Sequence, residues 1–175
     1  MSSLIVRNFM KQQGFSEEPD IMCNMHFSGL YFQPRIVGSL VVVGIILQFF
    51  VPPAAAALYF VLSALLWWNV SLPRLNPFEV FYNRALAAPK RRKLLEPAPG
   101  PRRFAQAMAA AFMLIVGIAI LHGWMVTAYV FEAMLVMAFS MLLFGKFCLG
   151  AYIYHLLRGR AAFANSTLPW AGRRS

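Results

Sequence analysis

Cys148 and His155 stand seven residues apart, a spacing that puts both on one face of a helix two turns from each other. Cys23 and His26 form a second pair, Cys-x-x-His, in the N-terminal segment. Thiolate and imidazole are the ligands of a tetrahedral Cys₂His₂ metal site, and the four residues together would close the N-terminal segment onto the last apolar helix. The plainer alternative is a packed cysteine and a histidine at lipid headgroups. Glu132 is the one ionisable residue well inside an apolar run. A carboxylate there costs about 2.5–3.5 kcal/mol on insertion scales, so it must face protein or a water-filled cavity, with His122 as its candidate partner. Met134, Met137 and Met141 continue at helical steps toward Gly145 and Cys148, a stripe that suits either soft-metal ligation or plain packing. Arg102 and Arg103 with Gln106 offer donors to an anionic headgroup or a sulfur oxyanion. No Walker loop, His-Glu-x-x-His pair or dinucleotide fingerprint occurs.

The elements that must carry these residues are oily. Of 175 residues, 60% are hydrophobic and only 13% charged, against about a quarter charged in soluble domains. The reading is an all-α integral membrane domain, a four-helix bundle of two helical hairpins, with spans at about 36–51, 54–70, 104–121 and 126–144. Residues 1–34 form an N-terminal cytoplasmic and interfacial segment, 35–157 the membrane domain, and 158–175 a basic polar tail. In the first segment Leu4, Ile5, Val6, Phe9 and Met10 make one apolar face of a short surface helix. The first hairpin is short, and its spans sit near the lower limit for crossing the hydrocarbon layer.

The central loop, 71–103, holds half of the sixteen basic residues. Asn76, Pro77 and Glu79 start a helix there: a capping side chain, a proline at the first position, and a carboxylate at the positive end of the dipole. Phe78, Phe81, Tyr82, Ala85 and Leu86 follow on one side, which predicts an amphipathic interfacial helix over 77–87. Residues 96–101 read as an extended spacer rich in proline, and the helical pattern of the last span persists through Lys146 to Leu157.

Every Lys and Arg falls at or before Arg35, in the central loop or from Lys146 onward, and none in the two short hairpin turns. Four spans with both termini cytoplasmic satisfy that bias at each loop. Arg84, Lys90, Arg91, Arg92, Lys93, Arg102 and Arg103 then read as headgroup contacts, and Trp67, Trp68 and Trp124 as interfacial anchors. The net charge of +10 is accounted for by membrane lipids, so nucleic acid is not expected as a partner. The two cysteines exclude a disulfide framework. No cleavable signal peptide is visible, because polar residues break up the first fifteen positions.

Three stretches carry a family resemblance: Arg74-Leu-Asn-Pro-Phe78, Pro101-Arg-Arg-Phe-Ala-Gln106, and Phe147-Cys-Leu-Gly-Ala-Tyr-Ile-Tyr-His155. Asn76, Pro77, Phe104, Gln106, Cys148 and Gly150 are the positions that bear it. On these the chain resembles an uncharacterised family of bacterial membrane proteins, domain-of-unknown-function family 4395. The resemblance implies a four-helix domain in the bacterial inner membrane. Many members read Cys-Leu-Gly-Cys at the last motif, where this chain has Ala151, so it lacks the pair for a dithiol mechanism.

The expected function is therefore that of a non-enzymatic accessory or structural subunit, packing against other membrane proteins or against itself. The alternative is a thiol-dependent redox or sulfur-handling protein that uses Cys148. No cofactor is called for by the residues, and whether a pigment, quinone or lipid enters the bundle is left open.

Overall fold

The computed structural model describes residues 3–15, 29–90, 94–95 and 97–171, and all regular structure among them is helical. Eight α-helices follow in order: α1 (Ser3–Gln13), α2 (Phe32–Gln48), α3 (Pro52–Ser71), α4 (Pro77–Phe81), α5 (Gly100–Leu121), α6 (Met125–Leu143), α7 (Leu149–Leu157) and α8 (Ala161–Ser166). Helices α3, α5 and α6 are long and apolar enough to cross a membrane. The expectation of four such helices is corrected at α2. Its 17 residues rise only about 26 Å, short of a hydrocarbon layer of about 30 Å.

Prolines set the helix starts. Pro52 and Pro101 lie in the first turns of α3 and α5, where a missing N–H leaves no acceptor unserved. The same rule moves two boundaries. Pro34 and Arg35 fall inside the first turn of α2 rather than before it, and α5 begins at Gly100, so Pro101, Arg102 and Arg103 are helical and not part of a spacer.

Helix α5 is the hub: it packs on α1, α3, α6 and α7, while α2 packs on α3 and α6. The main core lies among α2, α3, α5 and α6 and includes Val37, Tyr59, Leu62, Met113, Val116 and Leu135. A second cluster joins α1 to Leu30, Tyr31, Tyr82 and Leu95. Here the sequence reading of α1 is corrected. Val6, Phe9 and Met10 are buried against protein, and Gln12 and Gln13 are buried with them, so the helix is a packed element instead of one floating at headgroups.

Two further boundaries differ from expectation. The central amphipathic helix is α-helical only over Pro77–Phe81 and then widens into a π turn over Tyr82–Ala87. That widening buries Tyr82 and Ala87 while Phe81 stays exposed. The last span does not run on to Leu157. The chain leaves the helix after Leu143, Lys146 takes a positive φ of 54°, and α7 starts afresh at Leu149. Cys148 is thereby the residue that caps α7, and the methionine stripe cannot continue to it. Met134, Met137 and Met141 face outward on α6.

Candidate functional site

Two clusters of buried polar side chains stand out among the described residues, one between the long apolar helices and one at their Arg- and Lys-bearing end. The first is built on Glu132, at the eighth position of α6 and 2% exposed. Its Oε1 accepts from Tyr59 Oη at 2.9 Å and its Oε2 from Gln48 Nε2 at 2.9 Å. Tyr59 reaches it because Gly44 stands beside its ring, where a Cβ would come within 2.9 Å of Tyr59 Cζ. Both carboxylate oxygens are satisfied, as burial requires. His122, the expected partner, is not there: it stacks on Trp124 at 5.1 Å in the exposed turn. Tyr59 and Gln48 were not legible as its partners, since a tyrosine and an amide inside apolar runs read as interface residues.

The second cluster gathers five elements. Gln33 Oε1 on α2 accepts from Asn76 Nδ2 at 3.3 Å and from Gln106 Nε2 on α5 at 3.1 Å. Asn76 also caps α4, its Oδ1 accepting from the Phe78 N–H at 3.0 Å. One turn into α4, Glu79 meets Arg102 of α5 at 3.7 Å, each about 7% exposed. Burial pushes the Glu79 carboxyl up, and the Arg102 guanidinium opposes that rise. Gln12 of α1 completes the cluster: its Oε1 accepts from the Cys148 N–H at 2.9 Å, and its backbone carbonyl meets His155 Nε2 at 3.0 Å.

Arg102 is the sharpest departure from the sequence reading. Expected among the headgroup contacts, it is buried at 6% exposure because the start of α5 at Gly100 rotates it inward toward Glu79. Its neighbour Arg103 turns to Val70, donating through Nε and Nη2 to that carbonyl at 2.9 and 2.6 Å. Arg84 is exposed, as are Trp67, Trp68 and Trp124. Phe104 packs its ring on Tyr154 at 5.8 Å. Arg91, Arg92 and Lys93 lie outside the described residues, and so does the side chain of Lys90.

Of the candidate metal ligands, Cys23 and His26 also lie outside the described residues. Cys148 and His155 are both buried, joined through Gln12 rather than facing each other across one helix. Among the described residues no group of three or more His, Cys, Asp or Glu side chains converges as a metal site would require. Burial pushes the Cys148 thiol up, with backbone N–H groups of α7 and the Arg102 guanidinium pulling the other way. A thiol so placed is mostly protonated at neutral pH, and the thiolate is the reactive form.

A cavity of about 80 Å³ opens at this cluster, with Gln33, Arg102, Gln106 and Cys148 at its polar end and Val37, Leu66 and Phe139 among its apolar walls. Arg102 Nη1 and Gln106 Oε1 have no hydrogen-bond partner among the described residues. The burial of Glu79 and of the amides Gln12 and Gln33 escaped the sequence reading, because single polar residues near a helix end look like solvent-facing ones.

Residues 32–159 match the family described as Domain of unknown function (DUF4395). No curated protein and no solved structure matches the chain.

Proposed function

We propose, from the premise that this chain belongs to the DUF4395 family, that it is a non-enzymatic protein of the bacterial inner membrane, an accessory subunit that packs against other membrane proteins. In this reading α2, α3, α5 and α6 are four membrane-embedded helices in two hairpins, and both termini lie in the cytoplasm. The charge distribution supports it. The turns at 49–51 and 122–124 carry no Lys or Arg, whereas Arg35, Arg74, Arg84 and Lys146 mark the opposite ends of the helices.

The observation that carries the accessory role is the outward face of α6. Val126, Val130, Val136, Met137 and Met141 are all exposed, the two methionines giving the surface the adaptability that suits a packing partner. Small residues on the other helices are already used within the chain: Gly117 sits against Phe60 and Ala110 is fully buried. The thiol alternative is weakened by the site itself. Cys148 is buried and its thiol is held above the ordinary range, opposite to the depressed value of a reactive thiolate.

A photo-crosslinking residue at Met137 tests this in native membranes. The expected result is a discrete protein adduct that persists when Cys148 is changed to Ser. Adducts of lipid mass alone would contradict the accessory role, and an adduct lost in Cys148→Ser would move the balance to the thiol.

A further inference from the structure

Two contacts set α2 and α6 antiparallel: Gln48 bonds Glu132, and a Cβ on Gly38 would lie 3.4 Å from Phe139 Cγ. Between the two helices runs a groove of about 230 Å³, lined by Arg35, Ser39 and Val42 of α2 and by Ser140 and Val136 of α6. Those five residues are all exposed, so the groove is open along its outer side, while buried Val41 forms part of its floor. Each set steps by three or four residues along one helix face. The lining therefore changes in order, from a guanidinium at Arg35 through the hydroxyls of Ser39 and Ser140 to the apolar Val42 and Val136.

The charge at its mouth is available for a ligand. Arg35 and Lys146 both approach the ring of Tyr31, in different ways. Lys146 Nζ lies 4.3 Å from the ring centre and donates to the Leu143 carbonyl at 2.8 Å. The Arg35 guanidinium stands 5.9 Å from the same centre, and no oxygen among the described residues accepts from its side chain. Its planar fork of N–H donors matches two oxygens of a phosphate. Nor is the hydroxyl of Ser39 or Ser140 hydrogen-bonded among the described residues.

That order of groups is the order along a phospholipid: anionic head, ester oxygens, hydrocarbon. With α2 and α6 embedded as proposed above, the Arg35 end lies at the cytoplasmic headgroups and the valines lie deeper. Arg35 to Val42 covers about 10 Å at 1.5 Å per residue, room for the part of one acyl chain nearest the head. The open side leaves the second chain in the bilayer. A choline or ethanolamine head would bring its own ammonium beside the guanidinium, which a head without a cation avoids. A free fatty acid would meet Arg35 and place no ester oxygens at the serines.

We propose that the groove between α2 and α6 binds one anionic phospholipid of the cytoplasmic leaflet, its phosphate on Arg35, its ester oxygens at Ser39 and Ser140, and one acyl chain along Val42 and Val136. The site rests on the embedding of α2 and α6 in the reading above and not on the accessory role. Of the α6 face assigned to partner packing it uses only Val136.

The test is native mass spectrometry of the full-length protein released from nanodiscs. The discs hold equal amounts of dioleoylphosphatidylglycerol and dioleoylphosphatidylcholine, with free oleate added at the same concentration. A single retained lipid is expected, phosphatidylglycerol favoured over phosphatidylcholine by about fivefold, the attraction of one basic residue at a membrane surface. Arg35→Gln should bring that ratio near one. Ser140→Phe, which fills the groove from an exposed position, should cut retention of both lipids. Arg84→Gln removes an exposed cation that does not line the groove and should change neither quantity. Equal retention of the two phospholipids by the wild type, oleate held as well as phosphatidylglycerol, retention indifferent to Ser140→Phe, or a ratio that falls as far in Arg84→Gln as in Arg35→Gln would overturn the site. Any of these from protein that has entered the discs leaves the embedding standing. Protein that does not enter them overturns the embedding and the site together.

Discussion

Replacing Arg102 with Ala destabilises the folded protein by about 3–5 kcal/mol at neutral pH, the usual cost of removing one partner of a buried pair. Glu79 is left with its carboxyl in a buried site, and the Arg102 charge that opposed the rise of its pKa has gone, leaving only the weaker help of the Asn76 hydrogen bond among the described residues. The loss is pH-dependent with a definite sign. In the variant the folded-state pKa of Glu79 lies further above its unfolded value of about 4.3, so the folded state holds the proton more tightly than the unfolded one. Stability is therefore highest below that unfolded value and falls as pH rises toward the raised folded value. Unfolding in mild detergent, followed by circular dichroism at pH 5 and pH 8, should show a larger deficit at pH 8. Adding Glu79→Gln to Arg102→Ala should return much of the loss. A deficit equal at both pH values, or one that Glu79→Gln deepens, would mean that the pair does not hold the cluster together.

Replacing Gly150 with Val separates α7 from α5. A Cβ at this position would lie 2.6 Å from the Ala105 Cβ and 2.7 Å from the Ala105 Cα, and the second is a backbone atom that a rotamer change cannot move. The helices must part, at a cost of about 1–3 kcal/mol or more for overpacking. Because Cys148 caps α7 and is buried against Gln12, parting the helices should expose its thiol. Maleimide labelling at Cys148 should be slow in the wild type and several times faster in Gly150→Val. Gly159→Ala is the control: its φ of 69° is also special, but nothing lies within 4 Å. It should cost about 1–2 kcal/mol of local strain and leave Cys148 slow to react. Equal labelling in all three proteins would contradict the close approach of α5 and α7.

Much of the helical framework was legible because charge and oiliness alternate so strongly along the chain. The cap at Asn76 was legible as well, since an Asn-Pro pair followed by an acid has one common structural use. The break at Lys146 was not. Gly145 and Lys146 sit in a continuous apolar pattern, and only the backbone reversal at Lys146 shows that α6 and α7 are separate. The candidate site was the least legible part. Arg102 has the same type as Arg103 beside it, and one residue of helical rotation, about 100°, decides that the first faces Glu79 and the second Val70. Gln12 and Gln33 gain meaning only when α1, α2, α5 and α7 are brought together, information that spacing within one segment does not contain.

The account depends on the polar cluster lying at the cytoplasmic ends of membrane-embedded helices. Single cysteines at Arg84, in the exposed part of the π turn after α4, and at His122, in the turn between α5 and α6, measure this directly in a background with Cys23 and Cys148 changed to Ser. With a membrane-impermeant maleimide, Arg84→Cys should react only after the inner membrane is permeabilised, and His122→Cys should react in cells whose inner membrane is intact. The reverse pattern, or equal labelling of both positions with the inner membrane intact, would contradict the account.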